Sequence, residues 1–149
     1  MPASYNHLSI HIVFSTKNRH RFLTSERPEP MHKYLSGIID NLKGKSVIVG
    51  GTEDHIHILC IMPKELSLAD FVRALKANSS KWFRQNCLDK FSWQTGYGAF
   101  AVSKSVFPIV VEYIANQEEH HKKQDFNEEF RKLVESHGLV YEAPRDEDD

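Results

Sequence analysis

No apolar run in this sequence approaches the ~20 residues that a helix needs to span a bilayer, so a transmembrane protein is not expected. The stretch from Met1 to Asn6 has neither the basic start nor the apolar core of a signal peptide, which makes a cytoplasmic protein without a membrane partner the expectation. Cysteine is scarce: Cys60 and Cys87 stand apart, with no CxxC spacing to suggest zinc or redox chemistry, and both read as reduced thiols. A strong net charge is also missing. At −1 the chain is not a general polyanion binder, yet the balance is uneven, with 14 Lys and Arg against 8 Asp and Glu through Lys104, and 5 against 12 after it. A basic body could hold phosphates while an acidic C-terminal segment limits indiscriminate binding; a solvated acidic helix and tail accounts for the second part equally well.

What is present suits one compact domain, since 149 residues at 40% apolar can bury a sizeable core but leave little room for a second. Residues 1–140 are expected to form that domain, and 141–149 a disordered acidic tail. Leu8, Ile10, Ile12 and Phe14 alternate with His7, Ser9, His11 and Val13, the period-two pattern of a half-buried strand. A basic loop, Lys17-Asn18-Arg19-His20-Arg21, precedes a helix through Met31, Leu35, Ile38 and Leu42. Strands over 46–50 and 55–62 follow, then a helix capped by Ser67 with the apolar stripe Leu68, Phe71, Val72, Leu75 and Trp82. A Gly/aromatic loop, 93–98, leads to a strand over 99–103. Pro108 starts a further helix with Phe107, Val110, Val111 and Ile114 inward, and Asp125 with Glu128 caps a last one that Gly138 can stop. The order βαββαβ plus two helices implies an α+β, ferredoxin-like (RRM-like) antiparallel sheet with helices on one face and the C-terminal helices appended. Strands one and three would be central neighbours, placing His7, Ser9 and His11 near His55 and His57 on an open face with room for a strand of nucleic acid.

His55 and His57 are two apart in a strand, so both imidazoles project from one face and offer two nitrogen donors to a divalent metal. Such a pair can also be incidental. Tyr113 and Gln117 are four apart and stack on one helical face, where a tyrosine serves either as a nucleophile or to fill a gap at the core's edge. His120 and His121 continue that helix; phosphate contact is open to them, although an exposed, solvated pair is the simpler expectation.

Three motifs occur together and in order: 54–59 (DHIHIL), 93–100 (WQTGYGAF) and 112–121 (EYIANQEEHH). With them the chain, from about Tyr5 to Tyr141, resembles the single-tyrosine HUH transposases of small insertion sequences and their REP-associated relatives. The resemblance implies that His55 and His57 are metal ligands, Gln117 the third ligand, and Tyr113 the nucleophile of a covalent 5′-phosphotyrosine. It implies nicking and rejoining of single-stranded DNA at hairpin-marked element ends, in a homodimer whose tyrosine helices serve the partner's His pair. Nitrogen and neutral-oxygen ligands do not choose between Mg²⁺ and Mn²⁺, and the resemblance favours Mg²⁺. No nucleotide cofactor is expected, because the adduct conserves bond energy. Lys17, Arg19 and Arg21, with Arg73, Lys76, Lys81 and Arg84 on the second helix, are the candidates for backbone phosphates, though about half of such residues are ordinarily mere solvated surface. Trp93 and Tyr97 could stack on bases or pin their loop to the core. The competing expectations are a domesticated, non-cleaving DNA-hairpin binder and a metal nuclease that uses water instead of Tyr113.

Overall fold

The computed structural model describes residues 3–23 and 28–145. Four strands, β1 (Ser9–Ser15), β2 (Lys45–Gly51), β3 (His55–Ile61) and β4 (Gly98–Ala101), form one antiparallel sheet in the order β2-β3-β1-β4. That is the ferredoxin-like arrangement, with β1 and β3 as central neighbours. Helix α1 (Pro28–Asn41) joins β1 to β2, and α2 (Leu68–Asn86) joins β3 to β4. The Ser67 hydroxyl accepts from Asp70 N to cap α2, which ends at Cys87.

The period-two pattern sorts the sheet into two faces. Ile12 and Phe14 from β1, with Ile56, Ile58 and Cys60 from β3, pack under Met31, Leu35 and Ile39 of α1 and Phe71, Leu75 and Phe83 of α2. His11 and Val13 face the other way, as do His55 and His57. Leu8 lies before β1 and is exposed, so the apolar alternation there runs one residue further than the buried strand. Trp93 belongs to the main core: its rings meet Phe14 and Phe91, and its Nε1 donates to Ser79 Oγ at 2.9 Å. It pins the loop and is not available for stacking on bases, whereas Tyr97 is exposed.

The second face is not open. It is covered by α3 (Phe107–Ala115), the short α4 (Gln117–His121) and α5 (Phe126–Ser136), with Phe126, Phe130, Leu133 and Val134 packing on Val13 and Phe100. Two glycines let these helices come close. A Cβ on Gly50 of β2 would lie 2.8 Å from the Ile114 side chain and carbonyl, and one on Gly98 of β4 would lie 2.6 Å from the Phe130 ring. The expected single helix from Pro108 through His121 is interrupted at Asn116, whose φ of −104° and ψ of 27° end α3 and begin α4. Beyond α5, Tyr141 is half-buried with its ring near Phe130, and Gln94 Nε2 donates to Arg145 O; 146–149 of the expected tail lie outside the described residues.

Candidate active site

β3 sets both histidines on the covered face, and both are 0% exposed. His55 directs Nε2 to Gln117 Oε1 at 2.9 Å, while its Nδ1 lies 2.8 Å from Asp54 Oδ1 and 3.0 Å from Thr52 Oγ1. His57 directs Nε2 to Glu129 Oε1 at 3.0 Å and Nδ1 to His11 Nε2 at 2.7 Å. The Tyr113 hydroxyl donates to Glu129 Oε2, and its ring centroid is 5.7 Å from that of His57. Despite the break at Asn116, Gln117 remains on the tyrosine's side, with Nε2 donating to Tyr113 O at 3.3 Å. Thus His55, His57, Tyr113 and Gln117 converge within a single chain.

Glu129 and His121 join them, and neither was singled out from the sequence as a site residue. Glu129 is 1% exposed, and its Oε1 also takes a bond from His121 Nε2 at 3.1 Å. His121 is therefore no solvated surface residue: α4 turns it inward, one helical turn beyond Gln117. His120 packs its ring 4.7 Å from that of Tyr113. A sequence signal for Glu129 did exist, because it interrupts the apolar stripe Phe126, Phe130 and Leu133 on the inward face of α5. His7 stays near Phe107 and Ser9 bonds Val102 O, so only His11 of the β1 polar residues reaches the cluster.

The electrostatics follow from burial. Exclusion of water holds His57 down to about 4 and His11 to about 3, so both rings are neutral at pH 7. Burial opposes the charge of Glu129 most strongly, but hydrogen bonds from His121, His57 and Tyr113 outweigh it and keep the carboxyl well below its usual range. Burial, then the Glu129 bond and charge, raise Tyr113 well above an ordinary phenol. Asp54 is likewise lowered: its bond to His55 overcomes its own burial.

These donors suit a divalent ion. Ligand atoms of His55, His121 and Glu129 lie within 4.8 Å of one another, forming a triad able to hold a metal, and the His57 and Gln117 atoms bonded to its members border the same space. Neutral imidazole nitrogens, an amide oxygen and one carboxylate make a borderline-hard set. The centre is flanked by two cavities. One of about 560 Å³ is lined by His11, Phe100, Ile109, Tyr113, Glu129 and His137, and the other, of about 510 Å³, by Arg21, Thr52, Asp54, Glu118, His121 and Asp125.

Among the basic candidates, Lys17 and Arg19 lie in the 3₁₀ turn after β1, and Arg21 faces Glu53 at 3.7 Å. Lys76 Nζ donates to Gln94 O and Gly96 O, tying α2 to the 93–98 loop. Arg73 pairs with Asp70, Arg84 donates to Phe91 O, and Lys81 is exposed; all three are on α2, across the sheet from the histidines. No helix among the described residues is long and apolar enough to cross a membrane.

A ferredoxin-like sheet whose second face is sealed by a tyrosine-bearing helix over a strand His pair defines the HUH class of single-tyrosine fold. The chain belongs within it to the transposase IS200-like family, whose model matches residues 4–117, and is an IS200/IS605-type single-tyrosine transposase. It is similar to the ISDra2 transposase TnpA of Deinococcus radiodurans, at 23% identity over 117 residues, covering 74% of this chain and 84% of that protein. Two solved structures share the fold. One, described as a transposase from Deinococcus radiodurans, aligns with a TM-score of 0.63 at 23% identity over 78% of this chain and 95% of that one. The other, a REP-associated tyrosine transposase bound to a REP hairpin, aligns with a TM-score of 0.59 at 15% identity over 100% and 95%.

Proposed function

We propose that this protein nicks and rejoins single-stranded DNA at hairpin-marked element ends through a covalent 5′-phosphotyrosine on Tyr113, with Mg²⁺ as cofactor and Mn²⁺ able to replace it. One observation carries the reading: a single carboxylate, Glu129, joins the nucleophile to the metal donors, with Oε2 on the Tyr113 hydroxyl and Oε1 on His57 and His121.

Bound among His55, His57, Gln117, Glu129 and His121, the ion would polarise the scissile phosphate and offset the negative charge that builds on it. Tyr113 is protonated at neutral pH and has to lose that proton to become a strong nucleophile. Glu129, already its hydrogen-bond acceptor, takes the proton as the phenolic oxygen bonds to phosphorus. The bond from phosphorus to the 3′ oxygen breaks, and that oxygen takes up a proton from solvent water to leave as a 3′-OH. Rejoining reverses the sequence: a 3′-OH gives its proton to solvent water as it bonds to phosphorus, the bond from phosphorus to the Tyr113 oxygen breaks, and Glu129 returns the proton to Tyr113. No nucleotide cofactor is required, because one phosphodiester is exchanged for another.

Hairpin DNA is supported as the substrate by the relative whose structure holds one. Arg21 lines the cavity that also contains His121 and Asp54, so it holds a phosphate beside the site, and Lys17 and Arg19, in the turn just before it, hold phosphates further along the strand. Arg73, Lys81 and Arg84 serve a more distant part of the DNA, and Lys76 acts mainly on the loop. The protein assembles as a homodimer; the resemblance implies composite sites, whereas Tyr113 lying against its own His pair supports the tyrosine acting within its own protomer.

The complete burial of His55 and His57 favours a second reading, a domesticated hairpin binder that no longer cuts. Incubation with a fluorescent hairpin-bearing oligonucleotide, with Mg²⁺, Mn²⁺ or chelator, separates the two on a denaturing gel. A metal-dependent covalent species supports the enzyme; salt-sensitive binding without it supports the binder. Cleavage that survives Tyr113→Phe would instead indicate attack by water.

A further inference from the structure

We infer that His11 is a positioning residue for the metal site, acting through its bond to His57 to decide which nitrogen of that ring presents a lone pair. The inference rests on the metal reading above. His11 stands on β1 between Leu59 of β3 and Phe100 of β4, one pleat along from Val13, which is paired with His57. Its Nε2 is 2.7 Å from His57 Nδ1, and the two residues are 5% and 0% exposed.

A neutral imidazole has one N–H and one lone pair, so a bond at one nitrogen fixes the role of the other. Without an ion, the ionised Glu129 can only accept, and His57 must therefore donate from Nε2 and accept at Nδ1. His11 then supplies Nε2–H to that acceptor. An ion at His57 Nε2 needs the lone pair there, which moves the ring's single proton to Nδ1 and turns His11 Nε2 into the acceptor. Each ring holds one proton in both states. The Nε2 proton of His57 is released, the Nε2 proton of His11 crosses to His57 Nδ1, and His11 takes up a proton at its own Nδ1. A carboxylate in place of His11 could only accept and a lysine could only donate; an imidazole satisfies both states.

Two measurements test this. Mn²⁺ affinity is determined by calorimetry for the parent, His11→Phe and His11→Gln, each first shown to be folded. His11→Phe keeps ring volume without a polar atom and is expected to weaken binding by roughly 10- to 100-fold. His11→Gln, whose amide can present either oxygen or N–H, is expected to stay within roughly a few-fold of the parent. In the parent, ¹⁵N–¹H correlation spectra of the imidazoles should show His57 protonated at Nε2 without metal and at Nδ1 with saturating Mg²⁺. A folded His11→Phe that binds Mn²⁺ like the parent, or a His57 tautomer unchanged by Mg²⁺, overturns the inference alone. A parent that binds neither ion overturns the metal reading and this inference with it.

Discussion

Glu129 occupies a helix face otherwise given to Phe126, Phe130 and Leu133, and it stays ionised there because His57, His121 and Tyr113 all bond to it. Those three bonds compensate the buried charge, so removing it is expected to cost stability as well as function. Glu129→Gln is expected to fold yet slow adduct formation by ~10²-fold or more, read by single-turnover kinetics. Acid should undo the same cluster. His57 titrates near 4 and His11 near 3 against an ordinary 6.5, so between those values the unfolded chain binds protons that the folded one excludes. Stability is therefore lost as pH falls from about 6.5 towards 4, by on the order of 3 kcal/mol for His57 alone. Protonation of Glu129 acts in the same direction at lower pH, and thermal melts across this range should show a steep decline. The histidine pair was legible in the sequence because strand alternation fixes its face. Glu129 was legible only as an acid in an apolar stripe, since its partner His57 is 72 residues away and no local pattern connects them.

The strands and the first two helices follow from alternation, the Ser67 cap and the apolar stripes, all local signals. The break between α3 and α4 is different. Nothing at Asn116 resembles a proline or glycine stop, and the break instead lets Gln117 and His121 turn towards β3 while Ile114 packs on β2. Closure of the second face depended on long-range contact between two glycines and two side chains, which is why an open face was expected from the sequence. Gly50→Ala should press on the Ile114 carbonyl and destabilise the fold by about 1–3 kcal/mol, measured by denaturant unfolding. Gly98→Ala meets the rigid Phe130 ring, and Phe130→Leu in the same chain should recover part of the loss. If both glycine variants are as stable as the parent, the helices do not owe their position to these two contacts.

At the scale of the whole molecule, one chain brings together every group proposed for the chemistry, which is the arrangement a site working in cis requires. Mixing Tyr113→Phe with His57→Ala protein should therefore restore no cleavage, whereas exchanged tyrosine helices would rebuild one intact site in each mixed dimer. DNA binding should be polarised as well: Arg21→Ala, beside the site, is expected to lower hairpin affinity and reduce the salt slope by about 1, with a smaller effect from Arg73→Ala, whose charge is already paired with Asp70. The most direct measurement is peptide mass spectrometry after incubation of the protein with a hairpin-bearing single strand and Mg²⁺. The expected result is a 5′-phosphorylated DNA fragment attached to Tyr113 and absent from Tyr113→Phe; a fragment attached to another residue, or cleavage with no attached fragment, would contradict the account.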